Sequence, residues 1–501
     1  MSLAVIRADA SPDIGGGHVI RSMALAEGLQ REGWEVTFAC RAPTMETVPF
    51  LSKRHGIASL ETSAGEEPAE LRNLFPKGVD LLVVDHYERD YAFETALSGW
   101  ARQRLVIEDL PGRCHDCEFL LDQNRVDAEI LHRPFLSSTC RILGGPNFAL
   151  LRSGFSRQRF ERLGSRFKHG HLSRVIVLAG LTDSAGLLPT LIERTASLFP
   201  DVAIDAVLGS HAGTLDQVLR MASDLGQRLS IHIEPPDVSE LMAAADMMIG
   251  AAGSSCWEAC SLGLPMLLVE TAENQRPVIE ALTGAGAAIA LGRANDRSSL
   301  RFVQGFEAAG DIDRRRSMAE AAFGLCDGLG AARVCLAMTG ECAKDSLPVM
   351  LRPATEADTS FVFELQSEPG MRAYFREPCP PKQEEHISWF SARIIGRAGP
   401  LSIIEYDGVA CGLIRLDRND QPLPSLSSAW IPIFEISILV SSRYQRNGIG
   451  LAALKSVRRL LPFATFIAQV LEGNTASHHL FSSAGFERVE PTWYISLGHH
   501  D

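Results

Sequence analysis

Residues 3–29 read LAVIRADASPDIGGGHVIRSMALAEGL, in which an apolar strand, a glycine-rich turn and a helical pattern follow one another directly. Glycines in such a turn let backbone N–H groups approach a ligand, and the start of the helix favours negative charge. The segment therefore predicts the first β–loop–α unit of a nucleotide-binding α/β domain. Its ligand contacts are expected from Gly15, Gly16 and Gly17.

His18 stands at the end of this turn. A neutral imidazole accepts a proton from water near physiological pH, so His18 is a candidate general base. A histidine that only caps the helix or binds phosphate fits the same position equally well. The local sequence leaves these alternatives open.

The alternation of apolar strands with helical patterns continues to about residue 335. Strands are predicted at 4–8, 35–40, 81–85, 105–107 and 119–122, and again at 175–178, 203–208, 229–233, 247–250 and 266–269. Continuous apolar strands between helices are typical of parallel sheets covered on both faces. We therefore expect two Rossmann-like domains, 1–155 and 156–340, facing each other across a cleft and joined within the charged stretch 152–174.

The second predicted domain repeats the pattern of small residues before a helix. Gly253, Ser254 and Ser255 suit a diphosphate, and Glu258, one turn into the helix, is placed to accept hydrogen bonds from ribose hydroxyls. A solvated helix residue is the alternative for Glu258. Another pair, Asn274 and Gln275, follows a strand end, where α/β sheets usually place ligand contacts.

The pattern changes after a predicted linker at 341–348. Strands are expected near 401–406, 408–415, 435–440 and 465–470, with a loop rich in proline and serine at 418–428. The strand at 435–440 leads into QRNGIG, residues 445–450, and then into a helix. Backbone amides in such a loop cradle a pyrophosphate.

Composition excludes several classes of function. The 501 residues allow about three domains, and the formal net charge of −13 argues against a general nucleic-acid surface. We find neither an export signal nor an apolar run near the ~20 residues that span a bilayer, so a cytoplasmic protein without membrane contact is expected. Its 11 cysteines are then reduced thiols. Cys114, His115 and Cys117 lack a second cysteine pair at zinc spacing, so no metal is expected.

Residues 1–340 resemble two related families. The layout is similar to the GT-B glycosyltransferase fold of the peptidoglycan N-acetylglucosaminyltransferase, which binds UDP-sugars. The closer resemblance is to the pseudaminic acid pathway hydrolase, which cleaves UDP-2,4-diacetamido-2,4,6-trideoxy-β-L-altropyranose into the free sugar and UDP. The motifs that carry this resemblance are 7–10, 14–19 with Arg21, 85–87, 109–110, 115–117, 121–124 and 253–275.

This resemblance implies that His18 is the catalytic base and that Asp85, His86 and Tyr87 lie near the reacting sugar. The implied UDP-sugar contacts are Gly15, Gly16, Gly17, Arg21, Thr182, Asp183, Gly253, Ser254, Ser255, Glu258, Asn274 and Gln275. The sequence departs from the family pattern at Glu108, where the family commonly has Asp. It also departs at 179–183, which replaces a more usual Gly-Gly pair.

Residues 349–497 resemble the GCN5-related N-acetyltransferase (GNAT) superfamily, which implies an α/β domain that uses acetyl-CoA. The implied acetyl-CoA contacts are Ile438, Leu439, Val440, Gln445, Arg446, Asn447, Gly448, Ile449, Gly450 and Asn474. Many members carry a tyrosine on the last helix as general acid, and Phe481 occupies that position here. Glu435 is a candidate base or water-orienting group, with a strand-edge carboxylate as the alternative.

The combined prediction is a bifunctional enzyme. Segment 384–390 resembles the acceptor-side helix of the acetyltransferase that acts just before the hydrolase in the same pathway. The GNAT part would then acetylate the 4-amino UDP-sugar that the first part hydrolyses. The alternatives are a glycosyltransferase with a UDP-sugar donor, or a UDP-sugar-sensing module that regulates the acetyltransferase. The oligomeric state is left open.

Overall fold

The computed structural model describes residues 2–161, 171–296, 300–396, 398–419 and 432–498. The described chain divides into two compact units. The main boundary falls between Ala331 and Ala332, and Phe160 and Glu161 are grouped with the second unit. The first unit contains two α/β domains, and the second contains a separate mixed sheet. Each unit is described by itself below.

The first domain is a parallel sheet in the order β3-β2-β1-β4-β5-β6-β7. Its strands are β1 Leu3–Ala8, β2 Glu35–Cys40, β3 Gly56–Ser59, β4 Val79–Asp85, β5 Ala101–Ile107, β6 Phe119–Asp122 and β7 Arg141–Gly144. Its helices are α1 Gly17–Arg31, α2 Pro43–Thr47, α3 Glu67–Leu74, α4 Tyr91–Ala96, α5 Ala128–His132 and α6 Ser153–Glu161. The strand order reverses between β1 and β4, which is where open α/β sheets bind ligands.

The second domain is a parallel sheet in the order β10-β9-β8-β11-β12-β13. Its strands are β8 Arg174–Leu178, β9 Ala203–Leu208, β10 Leu229–Ile233, β11 Met247–Ala251, β12 Met266–Glu270 and β13 Ala288–Arg293. Its helices are α7 Leu188–Leu198, α8 Leu215–Leu225, α9 Val238–Ala244, α10 Ser255–Ser261, α11 Arg276–Gly284, α12 Leu300–Ala309 and α13 Ile312–Leu325. On β8, Val175 and Val177 enter one core cluster and Ile176 and Leu178 enter another, so both faces are covered.

The second unit is a mixed sheet in the order β14-β15-β16-β17-β18-β20-β19. Its strands are β14 Val349–Pro353, β15 Leu401–Tyr406, β16 Val409–Arg418, β17 Ile433–Val440, β18 Thr465–Gln469, β19 Glu487–Glu490 and β20 Trp493–Ser496. The remaining helices are α14 Gly330–Thr339, which spans the unit boundary, α15 Thr359–Ser367, α16 Gln383–Ile394, α17 Ile449–Leu460 and α18 Thr475–Ser483.

The predicted fold class, two Rossmann-like domains followed by an α/β GNAT-type sheet, is confirmed by these strand orders. Every predicted strand is present, with small differences at the ends. The pattern missed short edge strands such as β3, because its residues are half-buried or exposed and form no continuous apolar run. The predicted join at 152–174 begins as helix α6, and its residues 162–170 lie outside the described chain, as does most of the predicted loop at 418–428.

One stretch, Ile312–Thr339, is long and apolar enough by length and composition to cross a membrane, with a mean hydropathy of 1.4. It is interrupted at Cys326, whose extended backbone (φ −145°, ψ 130°) separates α13 from α14. Neither helix reaches the ~20 residues that a bilayer requires. Since 72% of the apolar window is buried, we assign this stretch to the protein core.

A buried ion cluster fixes the loop after β5. His115 Nδ1 lies 2.7 Å from Glu94 Oε1, and its Nε2 lies 3.3 Å from Glu108 Oε2. Burial lowers the pKa of His115, but hydrogen bonds to both carboxylates outweigh it and raise the pKa to about 9. Glu108 also forms an ion pair with Arg113. The longer glutamate side chain at position 108, where the family commonly has Asp, lets its carboxylate reach both His115 and Arg113.

The cysteines around His115 are not arranged about a shared ion. Cys114 is exposed, and the Cys117 thiol lies 3.7 Å from that of Cys140. Among the residues that the structure describes, no group of three or more His, Cys, Asp or Glu side chains is arranged for a metal. His115 therefore acts as a buried cation between two carboxylates.

The raised pKa of His115 predicts a pH-dependent stability. The contribution of protonated His115 is fully present below its unfolded pKa of ~6.5 and is lost as pH rises through about 9. Between these values the free energy of unfolding should fall by up to ~1.4 kcal/mol per pH unit. Thermal unfolding from pH 6 to 10 checks this.

The variant and its control for this prediction are both histidine-to-glutamine changes. His115→Gln should cost about 3 kcal/mol at pH 6.5, because it leaves the buried Glu94 carboxylate without its cationic partner, and it should flatten the pH dependence. The exposed His211, changed to Gln, should leave both unaltered. An equal pH slope in wild type and His115→Gln would contradict the assignment.

Candidate functional site

Polar side chains of the first domain gather at the carboxyl ends of its central strands. His18 begins α1, Asp85 ends β4, and Tyr87 follows two residues later. Asp109 and Asn124 follow β5 and β6. Because β1, β4, β5 and β6 are neighbours in the sheet, these ends meet at one edge, where parallel α/β sheets bind ligands.

His18 is held by a carboxylate. Its Nδ1 lies 2.5 Å from Asp85 Oδ1, and its ring meets the Tyr87 ring edge-on with centroids 4.8 Å apart. A carboxylate only accepts hydrogen bonds, so this contact favours the tautomer with its proton on Nδ1 and leaves Nε2 as the nitrogen that can accept a proton. Arg21 Nη2 also lies 3.1 Å from Nδ1. The N-cap of α1 is Gly16 and involves no side chain, so His18 does not serve as the helix cap. The geometry is that of an oriented general base.

Asp85 is anchored from α1 on both oxygens. Arg21 donates from Nε to Oδ2 at 2.8 Å and from Nη2 to Oδ1 at 2.6 Å, and Ser22 Oγ donates to Oδ2 at 3.0 Å. Burial raises the pKa of Asp85, but the charge of Arg21 and the hydrogen bonds from Arg21 and His18 outweigh it, so the net pKa lies well below the usual range. The carboxylate stays ionised.

Asp85, predicted to be a catalytic residue, is fully buried. Its side chain is 0% exposed, so it offers no surface to a sugar. Arg21, predicted to contact the UDP-sugar, likewise uses its guanidinium on Asp85 and is 8% exposed. Asp85 contacts His18 Nδ1, and Arg21 holds the Asp85 carboxylate in place.

His86 faces a different partner. Its Nε2 lies 3.2 Å from Asp9 Oδ2, and its Nδ1 accepts the Glu88 backbone N–H at 3.1 Å. Asp9 belongs to a buried charge cluster in which Arg7 and Arg89 both bind Glu67. Both ring nitrogens of His86 are therefore engaged within the protein, and its place near the sugar stays a prediction.

Tyr87 and Asn274 join the two domains of the first unit. Tyr87 donates its O–H to Asp109 Oδ1 at 2.7 Å and accepts a hydrogen bond from Asn274 Nδ2 at 3.0 Å. Burial, together with the charge of Asp109, raises the pKa of Tyr87 above its usual range. The sequence predicted both residues separately, and the structure brings them into contact.

The glycine turn faces the second domain. Gly15 has φ +77°, which favours glycine, and a Cβ on Gly16 would lie 2.8 Å from Leu181 Cδ1, so that side chain would have to shift. A Cβ on Gly17 would meet nothing within 4 Å. The predicted contact Thr182 is next to Leu181, so it lies beside the first-domain turn.

The turn before α10 in the second domain has open space around it. Ser254 is the N-cap of α10, which begins at Ser255, and a Cβ on Gly253 would meet nothing within 4 Å. Glu258 lies on α10 with Oε1 3.6 Å from Arg152 Nη2. Burial raises the pKa of Glu258, and Arg152 only partly opposes it. The Glu258 carboxyl group is therefore half-buried and can accept hydrogen bonds. It is not the solvated helix residue that the sequence left open as an alternative.

Two predicted ligand contacts instead shape their own loops. Asp183 accepts the Leu187 backbone N–H at 2.8 Å and the Thr214 hydroxyl at 2.5 Å, so it caps the start of α7. Gln275 forms hydrogen bonds with the backbone N–H and the hydroxyl of Thr271, at 2.9 and 2.8 Å. Their side chains hold the loops that carry Thr182 and Asn274.

The second unit contains an opening between strands. β17 pairs with β18 only at Ile433, Phe434 and Glu435, although β17 continues to Val440. The predicted acetyl-CoA residues Ile438, Leu439 and Val440 lie beyond this point. Strand backbone left unpaired in this way can bind an extended ligand by strand-like hydrogen bonds.

The predicted pyrophosphate loop, residues 445–450, is attached to the end of β17. Arg446 (φ +68°) and Gly448 (φ +83°) both have left-handed backbone, and Gly448 is the N-cap of α17, which starts at Ile449 and Gly450. Gln445 Nε2 donates to the Val440 carbonyl at 3.0 Å, which ties the loop to the strand end. The neighbouring Asn447 carbonyl accepts the Lys344 N–H of the predicted linker at 2.9 Å. Asn474 caps α18 by accepting the Ser477 N–H at 3.1 Å.

Glu435 lies where the strands part. Its Oε1 accepts a hydrogen bond from Arg376 Nη2 at 2.7 Å, and the same arginine binds Gln469 Oε1 at 2.8 Å. The Glu435 side chain is 27% exposed, so a substrate amine can approach it. Phe481 is buried and packs 5.9 Å from Tyr494, so the usual tyrosine hydroxyl is absent from this position.

The structure also identifies Asp109, Asn124 and Trp257, which the sequence did not assign to the site. Trp257 Nε1 donates to Asn124 Oδ1 at 2.8 Å across the domain cleft. Asp109 and Asn124 stand directly after predicted strands, so their strand-end positions were a usable signal. The sequence gave no such signal for Trp257, because a large apolar residue within a helical pattern is typical of the hydrophobic core.

Comparison with known proteins identifies the second unit. The family model for the acetyltransferase (GNAT) domain matches residues 349–487. The chain therefore carries a C-terminal GNAT acetyltransferase domain.

Comparison with curated proteins identifies relatives that cover more of the chain. An uncharacterised protein of Methanocaldococcus jannaschii is 22% identical over 98% of this chain and 97% of its own length. The spore coat polysaccharide biosynthesis protein SpsG of Bacillus subtilis is 25% identical over 57% of this chain and 83% of its own length. The UDP-2,4-diacetamido-2,4,6-trideoxy-β-L-altropyranose hydrolase of Campylobacter jejuni is 22% identical over 54% of this chain and 92% of its own length.

Proposed function

We propose that the first unit hydrolyses UDP-2,4-diacetamido-2,4,6-trideoxy-β-L-altropyranose, or a closely similar UDP-sugar, to the free sugar and UDP. The observation that carries this proposal is the His18–Asp85 pair, 2.5 Å apart at the carboxyl edge of the first sheet. The relative from Campylobacter jejuni, which bears this activity in its name, supports the choice of substrate.

The proposed reaction is displacement by water at the anomeric carbon. The water oxygen bonds to that carbon while the bond from the carbon to the UDP oxygen breaks. His18 Nε2 takes the water proton, and the Asp85 carboxylate stabilises the imidazolium that forms. UDP leaves as a stable anion, so no carboxylic acid is required to protonate it. His18 then returns the proton to solvent.

In this proposal the second domain holds the nucleotide. The open turn at Gly253 accommodates the diphosphate, and the half-buried Glu258 accepts hydrogen bonds from the ribose. The Asn274 amide lies beside Tyr87 and the sugar. These groups come from the opposite side of the cleft, so substrate binding depends on both domains.

We also propose that the GNAT domain transfers an acetyl group from acetyl-CoA to the 4-amino group of the UDP-sugar precursor. The acceptor nitrogen attacks the thioester carbonyl, and the carbon–sulfur bond breaks to release CoA. Glu435 is the proposed acceptor of the amine proton, directly or through water. Because residue 481 is phenylalanine, the CoA thiolate takes its proton from another group or from water.

A glycosyltransferase remains the second candidate, since it would bind the same donor. The carboxylate-held His18 favours activation of water and argues against a sensing module, which needs no base. The two enzymes are separated by one assay. A hydrolase releases UDP when no acceptor is present, whereas a glycosyltransferase requires one.

The first prediction concerns His18. His18→Gln should lower the rate constant of UDP release by ~10²-fold or more, because a general base is lost. UDP affinity should change less than about threefold, since the nucleotide binds the second domain. The exposed His171, changed to Gln, is the matched control. Near-normal turnover in His18→Gln would exclude the base assignment.

The second prediction concerns Asp85. Asp85→Asn keeps the shape of the side chain but allows an amide to face Nδ1, which favours the wrong tautomer of His18. UDP release should fall by about 10³-fold or more with little change in KM. Steady-state kinetics at several pH values measures this split. A change confined to KM would show instead that Asp85 contacts the substrate.

The third prediction concerns Gly448. Gly448→Val places a branched side chain at φ +83°, with its Cβ 3.2 Å from Lys344 Cγ, and should abolish acetyl transfer. Hydrolysis of already acetylated substrate should stay within about twofold. Gly408→Val is the matched control, because Gly408 has φ +76° but open space around it. Parallel loss of both activities in a folded variant would contradict the separation of the two sites.

A further inference from the structure

Among the hydrogen bonds that cross the cleft between the Rossmann-like domains, two end at neighbouring side chains of the first domain. Trp257 Nε1 donates to Asn124 Oδ1 at 2.8 Å, and Asn274 Nδ2 donates to Tyr87 OH at 3.0 Å. Trp257 is 1% exposed, so its N–H has no access to bulk water. Both donors belong to the second domain, and both acceptors belong to the first.

The two acceptors share one partner, the Asp109 carboxylate. Tyr87 OH donates to Oδ1 at 2.7 Å, and Asn124 Nδ2 donates to Oδ2 at 3.2 Å. Each cross-domain hydrogen bond is therefore one side chain away from Asp109. The Asp109 side chain is 8% exposed, so these donors replace water around its charge.

Asp109 is also linked to the candidate base. Arg21 Nη1 lies 3.5 Å from Asp109 Oδ2, while the other guanidinium nitrogens bind Asp85. Asp85 in turn holds His18 Nδ1. A planar guanidinium cannot turn toward one carboxylate without changing its angle to the other, so Asp109 helps to set the orientation of Arg21 on Asp85.

We propose that Asp109 is a positioning residue that makes the geometry of His18 depend on engagement of the second domain. When the domains meet, Trp257 and Asn274 fix Asn124 and Tyr87, these fix Asp109, and Arg21 carries the constraint to Asp85 and His18. The base is then aligned only when the nucleotide-binding domain is in place. This inference rests on the proposed hydrolase function of the first unit.

The first test is a kinetic split. Asp109→Asn keeps the size of the side chain but directs an amide at donors that need a carboxylate. The rate constant of UDP release should fall by ~10-fold or more, because misalignment of a catalytic group is costly. KM and UDP affinity should stay within about threefold. The exposed Asp127, paired only loosely with Arg125, supplies the matched control Asp127→Asn, which should match wild type.

The second test asks whether the effect travels across the cleft. Trp257→Phe removes the indole N–H and keeps an aromatic ring. If the proposal holds, Trp257→Phe lowers turnover in the wild-type background and adds little in the Asp109→Asn background. If the two substitutions together lowered turnover by the product of their separate factors, the two residues would act independently and the proposal would be overturned. A parallel loss of thermal stability, UDP affinity and turnover in Asp109→Asn would also overturn it, because that pattern marks a merely structural residue.

A readout without turnover separates this inference from the proposed function. In protein with isotope-labelled histidine, the His18 ring signals can be assigned by their loss in His18→Gln. They should move in Asp109→Asn and not in Asp127→Asn. Unchanged His18 signals in Asp109→Asn would overturn the positioning role. If wild type released no UDP, the hydrolase proposal would fail, while this measurement would still decide the role of Asp109.

Discussion

Asp85 carries a full negative charge at the carboxyl end of β4, where its side chain has no contact with solvent. An unpaired carboxylate in such a place would be very costly, so the fold supplies Arg21, Ser22 and His18 from the first turns of α1. The glycine turn between β1 and α1 sets where these donors begin. Stabilisation of one buried charge therefore also orients the imidazole that the proposed chemistry requires.

In the second unit, the features that can bind a ligand come from backbone geometry. β17 leaves β18 after Glu435, and Gly448 starts α17 from a left-handed conformation. Together they leave strand backbone and helix-terminal N–H groups available for an extended, anionic cofactor such as acetyl-CoA. Glu435 stands where the strands part and is held by Arg376.

Much of this could be predicted from the sequence, because it depends on local pattern. Continuous apolar strands and glycine turns indicated three α/β sheets. The first glycine turn indicated His18 and a strand-end position indicated Asn274, whereas Tyr87 was implied by the family resemblance. The partners of these residues could not be predicted, since they depend on tertiary placement. His86 stands beside Asp85 in sequence but binds Asp9, because successive residues at a strand end point in different directions. Asp183 and Gln275 follow strand ends as ligand contacts do, but their side chains satisfy their own loops.

We propose that water, oriented by His18, attacks the anomeric carbon of a UDP-sugar. Single turnover in ¹⁸O-labelled water, followed by mass spectrometry of both products, distinguishes this reaction from its alternatives. We expect one ¹⁸O atom in the released sugar and none in UDP, with release in the absence of any acceptor. Label in the β-phosphate of UDP would show cleavage at phosphorus, and a requirement for an acceptor would show glycosyl transfer. Either result would exclude attack by water at the anomeric carbon.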